Sequence, residues 1–269
     1  MNHSLQDAFR IARDEGRKAL LPFLMSGHPT PGTFVQNLRQ AAAYADVIEV
    51  GVPFSDPLAD GPVIQHAAEV ALRNCTTLGS TLQALALREP GPPVVLMLSI
   101  NQVLARGMQR FVAQVAEAGV SGAIIPDLPF EEAADVRAQC KRHGLSLIAM
   151  LAPTTPPGRM ADILRQAQGF AYLISVAGVT GTREGFAAET AEYIRDARKL
   201  SPVPVCVGFG ISKPQHIHEL SENADGFIVG SALIRGIDEG RSAGDVLEPL
   251  HAACRHAAHN RPLTTGAKS

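Results

Sequence analysis

Eight short apolar runs, each followed by a stretch with helical periodicity, constrain this chain more than any other feature. The runs are Ala19–Met25, Asp46–Gly51, Val94–Ile100, Ala123–Pro126, Leu145–Leu151, Phe170–Val176, Val203–Val207 and Gly226–Val229. They are rich in β-branched residues and scarcely alternate with polar ones, which is the composition of strands covered on both faces. The intervening stretches place apolar residues at helical spacing over Thr33–Tyr44, Val63–Arg73, Leu78–Arg88, Val103–Ala118, Glu131–His143, Arg159–Gln168, Thr190–Leu200 and Pro214–Glu222. A short helix is expected from Ser231 and a terminal one over Ala243–Ala258; an amphipathic helix over Leu5–Arg13 precedes the first strand. No linker or shift in composition divides the chain. Residues 1–269 are therefore expected to form a single (β/α)8 TIM barrel with an extra N-terminal helix and a frayed polar tail after Asn260. An open doubly wound sheet would want a GxGxxG turn after its first strand, and the first strand here runs into Ser26-Gly27-His28-Pro29 instead.

Charge and cysteine usage narrow the class of partner. The 24 Lys and Arg against 26 Asp and Glu give a net charge of −2, with no basic stripe to favour nucleic acid. The N-terminus is charged and amphipathic, without the apolar core of a signal peptide. No apolar run approaches the roughly 18 residues a membrane helix needs. Cys75, Cys140, Cys206 and Cys254 are scattered without CxxC spacing and read as reduced thiols of a cytoplasmic protein.

In a barrel of this kind the chemistry sits on the loops after the strands. The second strand contributes Glu49 within its apolar run, then Asp56 and Asp60 in a loop crowded with Pro53, Pro57, Gly61 and Pro62. The third gives Ser99 and Asn101, the fourth Asp127, which can equally cap a helix. The sixth gives the loop from Ala177 to Gly185, the seventh Gly208 to Ser212, and the eighth Gly230-Ser231. Three of these are glycine-rich turns that open a helix: Gly178/Gly181, Gly208/Gly210 and Gly230/Ser231. Such turns let backbone N–H groups approach an anion, so a phosphate is expected there.

Missing residue types narrow the reaction. None of Lys18, Lys141, Lys199, Lys213 and Lys268 ends a strand, which disfavours a Schiff base. His216 and His218 lie two apart on a helix, and no His/Asp cluster has metal-ligand spacing at the strand ends. Proton transfer by carboxylates on a phosphorylated small molecule remains. Glu49, in apolar surroundings, should have its proton affinity raised by desolvation, while Asp60 should more readily stay ionised. The bland reading of a lone strand Glu is a buried ion pair or hydrogen bond. Arg183 and Glu184 read as solvated loop charges, or as part of a lid.

The segments LPFLMSGHPT, EVGVPFSDPLADGPVIQ, PDLPFEE, SVAGVTGTREG, GFGIS and IVGSALI identify a resemblance. Over about residues 21–234 the chain resembles the tryptophan synthase alpha-subunit family, in order and spacing. The resemblance implies a carbon–carbon lyase that cleaves indole-3-glycerol phosphate to indole and glyceraldehyde 3-phosphate without metal or cofactor in this chain. It implies that Glu49 is the general acid/base and that Asp60 interacts with the indole N–H. Phe23, Ile64, Tyr172 and Phe209 match pocket positions, and Thr180 matches a loop residue that engages the catalytic aspartate on lid closure. Gly181, Gly210, Gly230 and Ser231 match the phosphate site. The chain departs from the family's usual pattern at His28, Ser99 and Val176, the second of which stands where an aromatic is common.

The resemblance further implies a beta-subunit partner carrying pyridoxal phosphate, an α2β2 assembly, and a loop at Pro53–Asp60 that is both catalytic and contact surface. Two other functions stay open at this point. One is a catalytically weak regulatory subunit that binds a phosphorylated ligand and activates a partner. The other is a different phosphosugar barrel enzyme such as an isomerase, which leaves the PFSDPLADGP loop unexplained.

Overall fold

The computed structural model describes residues 4–56, 60–175, 188–208 and 210–256. Helix α1 (Leu5–Asp14) starts at Ser4, whose side chain accepts the Asp7 N–H. There follow β1 (Ala19–Met25), α2 (Pro31–Ala42), β2 (Ile48–Gly51), α3 (Pro62–Arg73), α4 (Leu78–Ala86) and β3 (Val94–Met97). Then come α5 (Ile100–Arg106), α6 (Met108–Glu117), β4 (Gly122–Ile124), a tight 3-10 turn (Phe130–Glu132) and α7 (Ala134–Arg142). The second half holds β5 (Ser146–Leu147), β6 (Ala149–Leu151), α8 (Pro157–Arg165), β7 (Ala171–Ile174), α9 (Ala188–Leu200) and β8 (Val205–Gly208). It ends with α10 (Pro214–Leu220), β9 (Gly226–Val229), α11 (Ser231–Asp238) and α12 (Ala243–His256).

Every strand pairing is parallel, in the order β5-β4-β3-β2-β1-β9-β8-β7-β6. The two ends of that order, β5 and β6, are consecutive in the chain and separated only by Ile148. The sheet therefore comes round on itself as the expected barrel. What reads in the sequence as one fifth strand is these two pieces; the Ile148 N–H still reaches the Ala123 carbonyl at 2.9 Å.

Two sets of apolar residues alternate along the strands, as a period of two requires. Leu20, Leu24, Ile48, Val50, Val94 and Leu96 face outward against the helices. Leu21, Val95, Ile124, Ile148, Tyr172, Cys206 and Ile228 fill the barrel interior. The extra helix α1 belongs to that inner set: Leu5, Ala8, Phe9 and Ala12 close the N-terminal end of the barrel, with the Phe9 and Phe170 rings 5.7 Å apart. Asp46, expected at the head of the second strand, lies just before β2. There it accepts from Arg17 at 2.7 Å and from the Leu20 N–H at 2.9 Å, tying the α1–β1 connection to the entry of β2.

Besides the divided fifth strand, three elements differ from the sequence expectation. The helix expected over Glu131–His143 begins only at Ala134, after the tight turn at Phe130–Glu132. The third strand stops at Met97 rather than Ile100, because Ser99 starts a helix: its Oγ accepts the Asn101 N–H, and its N–H donates to the Gln102 side chain. The single helix expected over Val103–Ala118 is two, α5 and α6, broken at Gly107, where φ is +81°. Among the described residues no helix is long and apolar enough to cross a membrane.

Candidate active site

Glu49 faces the barrel interior because its neighbours Ile48 and Val50 face outward, and β2 holds it between Phe23 of β1 and Val95 of β3. It is 0% exposed, and neither carboxyl oxygen has a hydrogen-bond partner among the described residues. The bland reading, a buried ion pair, is thus absent from the described structure. Desolvation pushes the Glu49 carboxyl well above its ordinary 4.5, so it holds its proton where surface glutamates have lost theirs.

That shift sets a pH dependence. An acid whose folded pKa lies above its unfolded value favours the fold fully at low pH, and this contribution is lost as pH rises from about 4.5 through the folded pKa. The substitution Glu49→Gln, which cannot ionise, is therefore expected to be more stable than the parent at pH 8. The gap should close toward pH 4–5. Urea midpoints across that range check it; a gap independent of pH would contradict the assignment.

Tyr172 of β7 points into the same interior. Burial first, and then the charges of Glu49 and Asp60, hold its hydroxyl well above the ordinary 10.0, so it stays protonated. The two carboxyls and the phenol thus converge from β2, the β2–α3 loop and β7. Gly208 lies beside that ring, and a Cβ there would overlap it. Ser175 donates through Oγ, at 2.8 Å, and through its N–H, at 2.9 Å, to the Gly208 carbonyl, which joins the ends of β7 and β8.

Asp60 stands just before α3, half-buried, its carbonyl accepting from Gln65 at 2.8 Å. Burial raises its pKa above 3.8 as well, though not to the degree seen at Glu49. The expectation that Asp60 is the more readily ionised of the two holds in rank, but it is not an ordinary surface carboxylate.

The phosphate candidates cluster on the other side of β1. Gly230 is the N-cap of α11 and makes no side-chain cap hydrogen bond to the first N–H groups, which start at Ser231. Gly210, after β8, has φ +86°, a conformation that favours glycine. Phe23 and Ile64 lie against Gly230, within 3.6–3.9 Å of where its Cβ would be, and both pack with Met25 and Ile234. Thr180, Gly181 and Phe209 lie outside the described residues, as do Gly178, Val176, Arg183 and Glu184.

Asp127 does cap a helix, but a neighbouring one. Its oxygens accept the Ile100 N–H at 2.8 Å and the Ser99 hydroxyl at 2.6 Å, fixing the start of α5 against the end of β4. His28 turns away to α11, with its Nε2 2.9 Å from Asp238. Sequence reasoning missed Met25 and Met97, which line a cavity with Phe23, Asp60, Ser99 and Asp127. Met25 lies two residues beyond Phe23 on the same strand face, so the period of two pointed to it. Among the described residues no three His, Cys, Asp or Glu side chains converge as a metal ion would need.

Known proteins share the sequence and the fold of this chain. A family model described as "Tryptophan synthase alpha chain" matches residues 9–261. The tryptophan synthase alpha chain of Nitratidesulfovibrio vulgaris is 44% identical over 247 residues, 91% of this chain and 96% of the relative. That of Methanocaldococcus jannaschii is 42% identical over 87% of this chain and 85% of its own length. Among solved structures, tryptophan synthase from M. tuberculosis in an open form superposes with a TM-score of 0.86, at 33% identity, covering 94% of this chain and 99% of that one. The alpha subunit from Legionella pneumophila gives 0.84 at 33% identity, over 97% of this chain and 100% of that one. The chain belongs to the tryptophan synthase alpha chain family.

Proposed function

We propose that this chain cleaves indole-3-glycerol phosphate to indole and glyceraldehyde 3-phosphate by carboxylate acid/base catalysis. The single observation that carries the reading is the buried Glu49 carboxyl, without a hydrogen-bond partner among the described residues, in the barrel interior of a member of this family. In the first step Glu49 delivers its proton to the indole C3, making an indolenine-like cation. Asp60 steadies the positive charge at the ring N–H. The Glu49 carboxylate then takes the proton of the glycerol hydroxyl next to the ring. As the C=O forms, the carbon–carbon bond breaks and its electron pair returns to the ring. Glu49 ends protonated, as it began. The N–H groups around Gly210, Gly230 and Ser231 hold the phosphate, a site to which the resemblance adds Gly181; it gives Phe209 to the apolar pocket and Thr180 to a contact with the catalytic aspartate on lid closure. Phe23, Ile64 and Tyr172 bound the ring.

The same reading takes this chain as the alpha part of a cytoplasmic α2β2 complex. The beta subunit would carry the pyridoxal phosphate and take up the indole. Release of indole from indole-3-glycerol phosphate by the purified chain, with and without a cognate beta subunit, tests it. Turnover that rises with the partner is expected. Binding of substrate with no indole in either condition would overturn it in favour of a regulatory subunit.

A further inference from the structure

The proposed substrate spans the barrel mouth in one direction. Its phosphate end lies at Gly210, Gly230 and Ser231, over β8 and β9, and its reacting carbon lies at Glu49 on β2. In the sheet order, β1 separates these two positions, and β3 and β4 follow on the far side of β2. The six-membered ring of the indole is therefore carried toward the ends of β3 and β4. The apolar side chains of Phe23, Met25 and Met97 line the cavity there, and Asp60 also borders it. Ser99 and Asp127, at the ends of β3 and β4, line it too, and the hydrogen bonds between them have a definite direction. Ser99 Oγ–H donates to Asp127 at 2.6 Å, and the other Asp127 oxygen accepts the Ile100 N–H at 2.8 Å. Ser99 Oγ is itself an acceptor from the Asn101 N–H at 3.2 Å. The hydroxyl's one proton is spent, so what this wall can still offer a ligand is lone pairs.

We infer that the wall of Ser99 and Asp127 determines specificity: this chain takes indole-3-glycerol phosphates bearing a hydrogen-bond donor, a hydroxyl or amino group, on the six-membered ring. A donor there would satisfy acceptors that an unsubstituted ring leaves facing carbon. A substituent with only acceptor character, such as fluorine, would meet lone pairs with lone pairs. Sites built to pair with a polar group discriminate sharply, while apolar pockets barely sense one. The inference rests on the lyase reading above.

The test measures kcat/KM for unsubstituted, hydroxyl-, amino- and fluoro-substituted indole-3-glycerol phosphates, each substituted at the same ring carbon. A preference of about 10-fold or more for the donor-bearing over the fluorinated substrate is expected. Ser99→Ala should lower that ratio, taken between substrates on the same protein, because only Asp127 is left to accept from the donor, and Ser99→Thr, which keeps the hydroxyl, should restore the preference. Cleavage of the unsubstituted substrate with no donor preference, or a preference undiminished in Ser99→Ala, would overturn this inference alone. Failure to cleave any of them would bring down the lyase reading and the inference with it.

Discussion

Glu49→Gln is expected to lower turnover of indole-3-glycerol phosphate by roughly 100-fold or more, the usual contribution of a positioned general acid/base. The fold and the affinity for substrate should be retained. The amide has nearly the shape of the neutral acid, and the native carboxyl makes no hydrogen bond among the described residues that the amide could break. The loss should therefore fall on kcat with KM little changed, because the proton is needed in the transition state and not for binding. Steady-state kinetics with the purified complex check this. Turnover within a few-fold of the parent would rule out Glu49 as the acid.

Gly230→Asp is expected to weaken binding of the phosphorylated substrate severely while leaving the barrel intact. Modest carboxylate–phosphate repulsion of about 1.4–3 kcal/mol corresponds to ~10- to 100-fold in affinity. The space argument makes the result interpretable. A Cβ at Gly230 would meet Phe23 at 3.6 Å and Ile64 at 3.9 Å, ordinary contacts that require no rearrangement. The new side chain would also supply the N-cap that α11 lacks. The variant should thus fold as well as the parent, and Gly230→Ala should bind nearly normally. Competition by inorganic phosphate, measured on all three proteins, separates charge from bulk. Equal affinity for Gly230→Asp and the parent would remove the phosphate from this helix.

Much of this architecture was legible in the sequence because parallel barrel strands are buried on both faces, and a buried strand leaves few side-chain choices. Runs such as Leu20–Leu24 and Val205–Val207 announce themselves by composition. Failures of the reading cluster where a local cap overrides the pattern. At Ser99 the apolar run continues through Ile100, yet the hydroxyl and the Gln102 side chain close a capping box that ends the extended chain. Ile148 is apolar and buried like its neighbours, so nothing in composition marks the point where β5 ends and β6 begins. At the site, Glu49 stood out as a charge in an apolar run, but whether a cation waited across the barrel was a question of tertiary contacts. Asp127 showed the converse. Its sequence context suggested a cap, and the helix it caps lies on the preceding βα unit, which no local pattern encodes. Met25 could have been found by its spacing of two from Phe23, whereas Met97 read as plain core because its position at the open end of the barrel follows only from the register of β3 against β2.

The central claim is that Glu49 is a neutral, unpartnered acid in the barrel interior, and the titration of its own carboxyl tests that most directly. Protein labelled with 13C at the glutamate side-chain carboxyls, followed by NMR from pH 3 to 9 beside Glu49→Gln, isolates the one resonance the variant lacks. The account predicts a midpoint well above 4.5. A resonance that titrates near 4.5, as an exposed glutamate does, would contradict it.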